Sequence, residues 1–103
     1  MIIRNKSNSE LKPNPFNADV RILFANKKIE SLHLKLEPGK ILSPVEIPND
    51  ALFYIIEGSP EVLINDEKEI VSAEALVFCP GGSKHCINNP GDSTARILVI
   101  KLL

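Results

Sequence analysis

The segment PGGSKHCINN, residues 80–89, is the part of the sequence that decides the fold. It opens with a Pro-Gly-Gly turn, in which Gly81 and Gly82 supply backbone angles that other residues resist. A short run of strand-forming residues then covers residues 85–88, and turn residues follow from Asn89. The segment therefore predicts a tight turn, a short strand that carries a histidine, and a second turn.

Turn residues punctuate the rest of the chain in the same way. Eight prolines and five glycines divide it into pieces that are too short for long helices. The pieces between them are rich in β-branched and other apolar residues, as strands are. The predicted strands cover residues 20–25, 29–37, 52–56, 61–65, 69–72, 76–79, 85–88 and 95–103.

Two of these runs predict a hairpin with one buried face. Residues 20–25 and 29–37 flank a short polar turn, and leucines alternate with polar residues along the second run. The polar positions, His33 among them, are expected to face solvent. Eight to ten short strands at this spacing predict an all-β fold, either an antiparallel sandwich or a barrel.

Working outward, residues 38–58 and 80–89 together resemble the two motifs of the cupin family. The first motif, a glycine, five residues, His-any-His, three or four residues, Glu, six residues and Gly, is matched in spacing from Gly39 to Gly58. The second motif, Pro-any-Gly-any-any-His-any-any-any-Asn, is matched at every fixed position, with Glu74 where its opening glycine belongs. The resemblance covers about residues 30–102. It implies a single cupin domain over residues 1–103, folded as a double-stranded β-helix, or jelly-roll barrel, around a cup.

The resemblance also shows which metal-binding residues of cupins this sequence lacks. Metal-binding cupins carry His, His and Glu at the positions of Val45, Ile47 and Ala51, and these bind iron, manganese, nickel or zinc together with a histidine at His85. Three apolar side chains supply no lone pair, and one imidazole holds a divalent ion weakly. A register slipped by one residue would turn Glu46 inward and make a two-ligand site with His85, short of the three ligands of catalytic zinc. We therefore expect no metal and no other cofactor.

His85 is the candidate catalytic residue, and two interpretations of it stay open. A neutral imidazole in an apolar cup is suited to act as a general acid or base. Alternatively, its ring bonds Asn89 or a backbone carbonyl and does nothing more. Asn89 is equally suited to contact a ligand and to stabilise its own turn. Because side chains alternate along a strand, we expect Ala51, Phe53 and Ile55 to face inward and Tyr54 to face outward. The predicted ligand-binding lining is Val45, Ile47, Ala51, Phe53, Ile55, His85 and Asn89.

These features support three hypotheses for function. The first is a metal-independent module that binds a small, partly apolar ligand in the cup. The alternative is an enzyme, either a metal-free isomerase or lyase that uses His85 as acid and base, or a metal-dependent oxygenase with non-standard ligands. The third is a structural or regulatory dimer that has lost its chemistry.

Composition excludes several other classes. Twelve basic and thirteen acidic residues give a net charge of -1, and no basic run exceeds the pair Lys27 and Lys28, so we expect no nucleic-acid partner. We find neither a signal peptide nor a run of ~20 apolar residues, so a cytoplasmic protein that is not held in a membrane is expected. Cys79 and Cys86, which flank the Pro-Gly-Gly turn as expected cross-strand neighbours, are expected to be reduced thiols.

The two ends of the chain lead to expectations about assembly. Residues 1–19 are predicted either to be a loosely held arm or to add an edge strand to a partner subunit. The apolar run from Arg96 to Leu103 offers an adhesive strand. Since small cupins are commonly homodimers, the resemblance implies a homodimer.

Overall fold

The computed structural model describes all residues 1–103; about half of them lie in β-strands, and turns and loops make up nearly all of the rest. One turn of 3-10 helix, Lys6–Asn8, comes first, and none of the helical structure is long and apolar enough to span a membrane. The strands are β1 (Glu10–Leu11), β2 (Asp19–Ala25), β3 (Ile29–Leu36), β4 (Val45–Glu46), β5 (Ala51–Glu57), β6 (Glu61–Ile64), β7 (Glu67–Ile70), β8 (Leu76–Cys79), β9 (Lys84–Asn88) and β10 (Ala95–Leu102).

The ten strands form two antiparallel sheets. The larger sheet has the order β1-β2-β3-β10-β5-β8, and the smaller has the order β4-β9-β6-β7. The predicted hairpin of β2 and β3 is confirmed, with a register shift between Ile22 and Phe24. Strand β10 lies at the centre of the larger sheet, paired with β3 and β5. Its backbone is therefore fully paired and is not available as an adhesive edge for a partner.

The core lies between the two sheets because alternate residues of the central strands point inward. Leu36, Ile55 and Ile97 are fully buried, and Phe53 is 1% exposed. The buried apolar cluster is Leu32, Leu34, Leu36, Ala51, Phe53, Ile55, Val62, Cys79, Ile87, Ala95, Ile97 and Val99.

The second hairpin differs from the prediction at its turn. Strand β7 begins at Glu67, paired with Ile64, so the turn consists of Asn65 and Asp66. Asn65 has a φ of 52°, a left-handed conformation that asparagine tolerates better than most residues. The turn therefore begins one residue earlier than the predicted strands 61–65 and 69–72 implied.

The connection from β8 to β9 crosses from one sheet to the other. Strand β8 pairs with β5, whereas β9 pairs with β4 and β6. Cys79 and Cys86 therefore lie in different sheets, and the prediction that they are cross-strand neighbours is wrong. Both are buried free thiols, and burial raises the pKa of each.

The two glycines of this connection have different roles. Gly82 has a φ of 81°, as the prediction required. At Gly81 the need is space, because a Cβ atom there would lie 2.2 Å from the Pro48 carbonyl oxygen.

The N-terminal segment belongs to this chain's own barrel. Glu10 and Leu11 pair with Ile22 and Arg21 of β2, so β1 adds an edge strand within the chain. Lys12, Asn14, Phe16 and Ala18 line the cavity between the sheets. The expectation of a loose arm over residues 1–19 is therefore wrong from Ser9 onward, because residues 9–12 are hydrogen-bonded to β2.

His33 is buried, contrary to the expectation that it faces solvent. It is 4% exposed, and its Nε2 accepts a hydrogen bond of 3.2 Å from Nε of Arg96. It lies in β3 opposite Arg21 and Leu98 of the neighbouring strands. Side chains of the two neighbouring strands, β2 and β10, therefore cover His33, which strand alternation predicted to be exposed to solvent.

Candidate functional site

A mostly apolar cavity of about 190 Å³ lies between the two sheets. The larger sheet contributes residues of β2, β3, β5 and β10, and the smaller sheet contributes residues of β4 and β9. The segment before β2 and the loop before β4 complete the walls. The lining residues are Lys12, Asn14, Phe16, Ala18, Val20, Leu32, Leu34, Leu42, Ser43, Val45, Phe53, His85, Cys86, Ile87, Val99 and Lys101.

Three of the predicted lining residues come together at this cavity. Val45 of β4 and His85 of β9 are directly opposed in register, so their side chains lie on the same face of the smaller sheet. Phe53 projects from β5 in the larger sheet, and its ring centroid lies 5.6 Å from that of His85. These three residues link the two walls of the cavity.

The other four predicted residues lie outside the lining. Ala51 and Ile55 are fully buried in the core. Ile47 is half-buried, and its backbone carbonyl accepts a hydrogen bond from the Gly82 amide. Ala51 and Ile55 therefore point inward as predicted, but they belong to the packed core and not to the cavity wall.

Asn89 ties down its own turn. It is 1% exposed, and its side-chain nitrogen donates to the carbonyls of Leu36 and Ser93 at 3.0 and 2.8 Å. Its side-chain oxygen accepts from the Gly91 amide at 3.2 Å. Of the two interpretations left open for Asn89, the geometry therefore favours the structural one.

His85 is the buried polar group of the cavity's apolar part. It is 9% exposed, and its Nδ1 is buried without a hydrogen-bond partner. Burial lowers the pKa of His85, the backbone at Ser83 opposes this, and the charge of Lys101 lowers the pKa further. The imidazole is therefore neutral at neutral pH, and its buried Nδ1 forms no hydrogen bond of good geometry, although the Ser83 backbone lies close enough to affect the pKa.

A charged cluster, Lys12, Glu30 and Lys101, adjoins the same cavity. Nζ of Lys12 lies 2.7 Å from Oε1 of Glu30, and Nζ of Lys101 lies 3.3 Å from the same oxygen. All three side chains are 21–31% exposed. Both lysines line the cavity, whereas Glu30, the register partner of Lys101 on β3, is not part of the lining.

The pKa values of the cluster reflect this crowding. Burial alone would raise the pKa of Glu30, but hydrogen bonds and charges from both lysines outweigh it, so the pKa is lowered. Burial and the charge of Lys12 lower the pKa of Lys101, and Glu30 opposes them. One carboxylate thus stabilises two ammonium groups.

Sequence reasoning missed this cluster. A signal for Lys101 was present, because it continues the inward alternation of Ile97 and Val99 along β10. Glu30 likewise shares the inward phase of Leu32 and Leu34 in β3. No comparable signal marks Lys12, because it lies in the segment between β1 and β2, and no strand alternation predicts where this segment runs.

The residues present do not fit the metal site of the family. Val45 faces His85 where a second histidine would be needed, and Glu46 lies opposite Lys84 on the exposed side of the same strand pair. The slipped register that would turn Glu46 inward is therefore not the one observed. The structure has no group of three or more His, Cys, Asp or Glu side chains placed to hold a metal ion.

Two antiparallel sheets closed over a ligand-sized cup place this protein in the class of jelly-roll barrels, also described as double-stranded β-helices. The family model described as "Cupin domain" matches residues 32–101, which is more than half of the chain. The chain belongs to the cupin family. The resemblance drawn from residues 38–58 and 80–89 is confirmed, as is the all-β fold that it implied.

Similar proteins extend this assignment. The chain is 33% identical over 67 residues to tetracenomycin polyketide synthase protein TcmJ of Streptomyces glaucescens, covering 64% of this chain and 45% of that protein. It therefore spans less than half the length of that curated relative.

Solved structures show the same fold at low identity. A predicted oxalate decarboxylase from Thermotoga maritima superposes with a TM-score of 0.85 at 21% identity, covering 100% of this chain and 99% of that one. The polyketide cyclase RemF from Streptomyces resistomycificus gives 0.85 at 18% identity, covering 99% and 79%. At these identities the likeness establishes the fold.

Proposed function

We propose that this protein is a metal-independent binding module that holds one small, partly apolar molecule in the cavity between its sheets. The observation that carries the proposal is the apolar cavity of about 190 Å³ with His85 at its wall, nine-tenths buried and with an unpaired ring nitrogen. A buried polar atom without a partner costs free energy, which a ligand that bonds it would recover.

The size of the cavity limits the ligand class. An apolar cavity of roughly 150 Å³ is large enough to bind benzene. A molecule with one substituted ring, or an aliphatic molecule of similar size, therefore suits this cup. The names of TcmJ and RemF, which refer to polyketide synthesis and cyclisation, support a ligand with a partly apolar carbon skeleton.

The test is a thermal-shift screen of single-ring and short aliphatic compounds on the full chain. A ligand at about ten times its Kd is expected to raise Tm by roughly 5–10 °C. Val45→Phe places extra volume at the half-exposed wall of the cup and should abolish the shift. Ile70→Phe is the matched control, because Ile70 is 57% exposed on β7, away from the cavity. Absence of any hit, or hits that persist in Val45→Phe, would overturn the proposal.

A second candidate is a metal-free enzyme in which His85 exchanges a proton with the bound molecule. It is favoured by the neutral imidazole with a free nitrogen close to the Lys101 charge. The test is to incubate each screening hit with the protein in D₂O and to follow loss of C–H signals by NMR. Exchange that requires His85 should vanish in His85→Gln, whereas binding without exchange would leave the module as the function.

A further inference from the structure

We infer that the cup selects monoanionic ligands, with Lys101 and Lys12 binding a carboxylate while the ligand's apolar body packs near Phe53. This inference rests on the proposed function and names the ligand class of the same cavity.

The cluster of Lys12, Glu30 and Lys101 has two positive charges and one negative charge, so its net charge is +1. Both ammonium groups contact the same oxygen of Glu30, at 2.7 and 3.3 Å. An ammonium group has three donors, so each lysine keeps donors beyond the one that Glu30 engages. The two lysines line the cavity and Glu30 does not, so a ligand in the cup meets the ammonium groups.

No second acid reaches Lys101 from the adjoining strands. On β5 its register partner is Ala51, and on β3 its partner is Glu30 itself. The other titratable side chains of the cavity wall are His85, which is neutral, and the thiol of Cys86. The excess positive charge is therefore left for a bound molecule to balance.

The rest of the wall sets the form of that molecule. Leu34, Phe53 and Val99 are apolar and almost fully buried, so they suit the hydrocarbon part of a ligand. His85, with its unpaired Nδ1, is an independent polar group in the same cavity. A short molecule with an apolar body and one acidic group satisfies both the charged and the apolar parts of the wall.

The experiment compares three ligands of nearly the same shape on the full chain: benzoate, neutral benzamide and cationic benzylamine. Affinities are measured by calorimetry or by NMR titration at neutral pH and low salt. Because a charge-assisted hydrogen bond is worth more than a neutral one, benzoate is expected to bind at least about tenfold more tightly than benzamide. Benzylamine is expected to bind more weakly than either.

The readout is the ratio of the benzoate and benzamide affinities, which a purely structural change would not alter. Lys101→Met should bring this ratio close to one, and Lys12→Met should reduce it. Lys101→Arg should retain it, which keeps the test valid if the methionine variant fails to fold. Lys35→Met is the matched control, since Lys35 is a half-buried lysine paired with Glu37 outside the cavity.

The possible results are distinguishable. Equal binding of benzoate and benzamide, tighter binding of benzylamine, or an unchanged ratio in a folded Lys101→Met variant would overturn the inference and leave the proposed binding function intact. If none of the three ligands binds and the wider screen also finds no ligand, both the inference and the proposed function are overturned.

Discussion

At the scale of single residues, Glu74 has a backbone conformation that suits glycine better than glutamate. It stands where the second cupin motif opens with glycine, and it has a φ of 73°. Its amide donates to the carbonyl of Ile55 at 2.8 Å, which holds the chain in this conformation. A glutamate in the left-handed region is strained, whereas glycine adopts that region freely.

Glu74→Gly is therefore expected to stabilise the protein by about 1 kcal/mol. The free energy of unfolding from urea denaturation provides the measurement. Glu69→Gly is the control: Glu69 is an exposed strand residue of β7, where glycine should destabilise by roughly 0.5–1 kcal/mol. Equal destabilisation by both substitutions would contradict the strain at Glu74.

Asn89 provides a second prediction at this scale. Asn89→Ala removes the donor to the carbonyls of Leu36 and Ser93, the first of these hydrogen bonds being buried, so we expect a loss of about 2–3 kcal/mol in unfolding free energy. Ligand affinity of the folded fraction should not change, because Asn89 lies outside the cavity lining. The exposed Asn8→Ala is the control. A folded variant with weakened ligand binding would return Asn89 to the binding site.

At the scale of the elements, His33 and Arg96 connect β3 to β10. Nε of Arg96 donates to Nε2 of His33, and this hydrogen bond requires a neutral imidazole. Burial lowers the pKa of His33 below its ordinary value of 6.5, the charges of Arg96 and Lys6 lower it further, and Asp19 opposes them. Protonation of His33 would end this contact between the two strands.

Stability is therefore expected to fall as the pH drops below about 6.5. The sign follows because the unfolded chain binds protons first: the histidines His33 and His85 both have lowered pKa values when folded. Above 6.5 both states are neutral and this contribution to the pH dependence disappears.

The measurement is the free energy of unfolding at several pH values between 7 and 5. His33→Gln keeps an acceptor for Arg96 and cannot titrate, so its curve should be flatter than that of the wild type. His85→Gln should flatten the curve in the same direction. Glu30, whose pKa is lowered, adds its own loss at more acidic pH, below this window. Parallel curves for His33→Gln and the wild type would contradict the assignment.

At the scale of the whole molecule, the outer face of the larger sheet leaves apolar side chains exposed. Tyr54 and Leu76 are directly opposed across β5 and β8, and both are at least 38% exposed. Phe78, 54% exposed, lies on the same face of β8, which is an edge strand of the sheet. We propose that a second copy of the chain covers this face. The exposed side chains of Tyr54, Leu76 and Phe78 form a continuous apolar surface that reaches β8, the unpaired edge of the sheet.

Phe78→Lys and Leu76→Lys should therefore convert a homodimer to a monomer without loss of fold. Light scattering coupled to size-exclusion chromatography gives the mass, and circular dichroism gives the fold. Ile70→Lys, on the exposed surface of β7 in the smaller sheet, is the control and should leave the mass unchanged. A wild-type chain that is monomeric at high concentration would contradict the proposal.

Much of the fold was predictable because its signals are local. Prolines and glycines mark the turns, period-two alternation marks β3, and residues 80–89 match a motif whose spacing reflects one turn and one strand. The structure places β8 at Leu76–Cys79 as predicted and moves the other predicted strand boundaries by two residues or fewer. The family assignment rested on these same local patterns.

The site was predictable in part for the same reason. His85, Phe53 and Val45 lie on strands whose alternation is clear, and they meet at the cavity. Asn89 and Ala51 also obey that alternation, yet one is engaged by its own turn and the other is enclosed by the core. Alternation states which way a side chain points, and it says nothing about what occupies the space beyond it.

The sequence by itself determined the all-β class, the cupin motifs and the apolar residues at three motif positions, because each of these follows from residue type and spacing. The tertiary structure decided where the chain's ends go: β1 onto β2, and β10 into the centre of the larger sheet. It also brought Lys12, Glu30 and Lys101 together from three distant parts of the chain. Contacts of this kind depend on the packing of the sheets, and no local pattern encodes that packing.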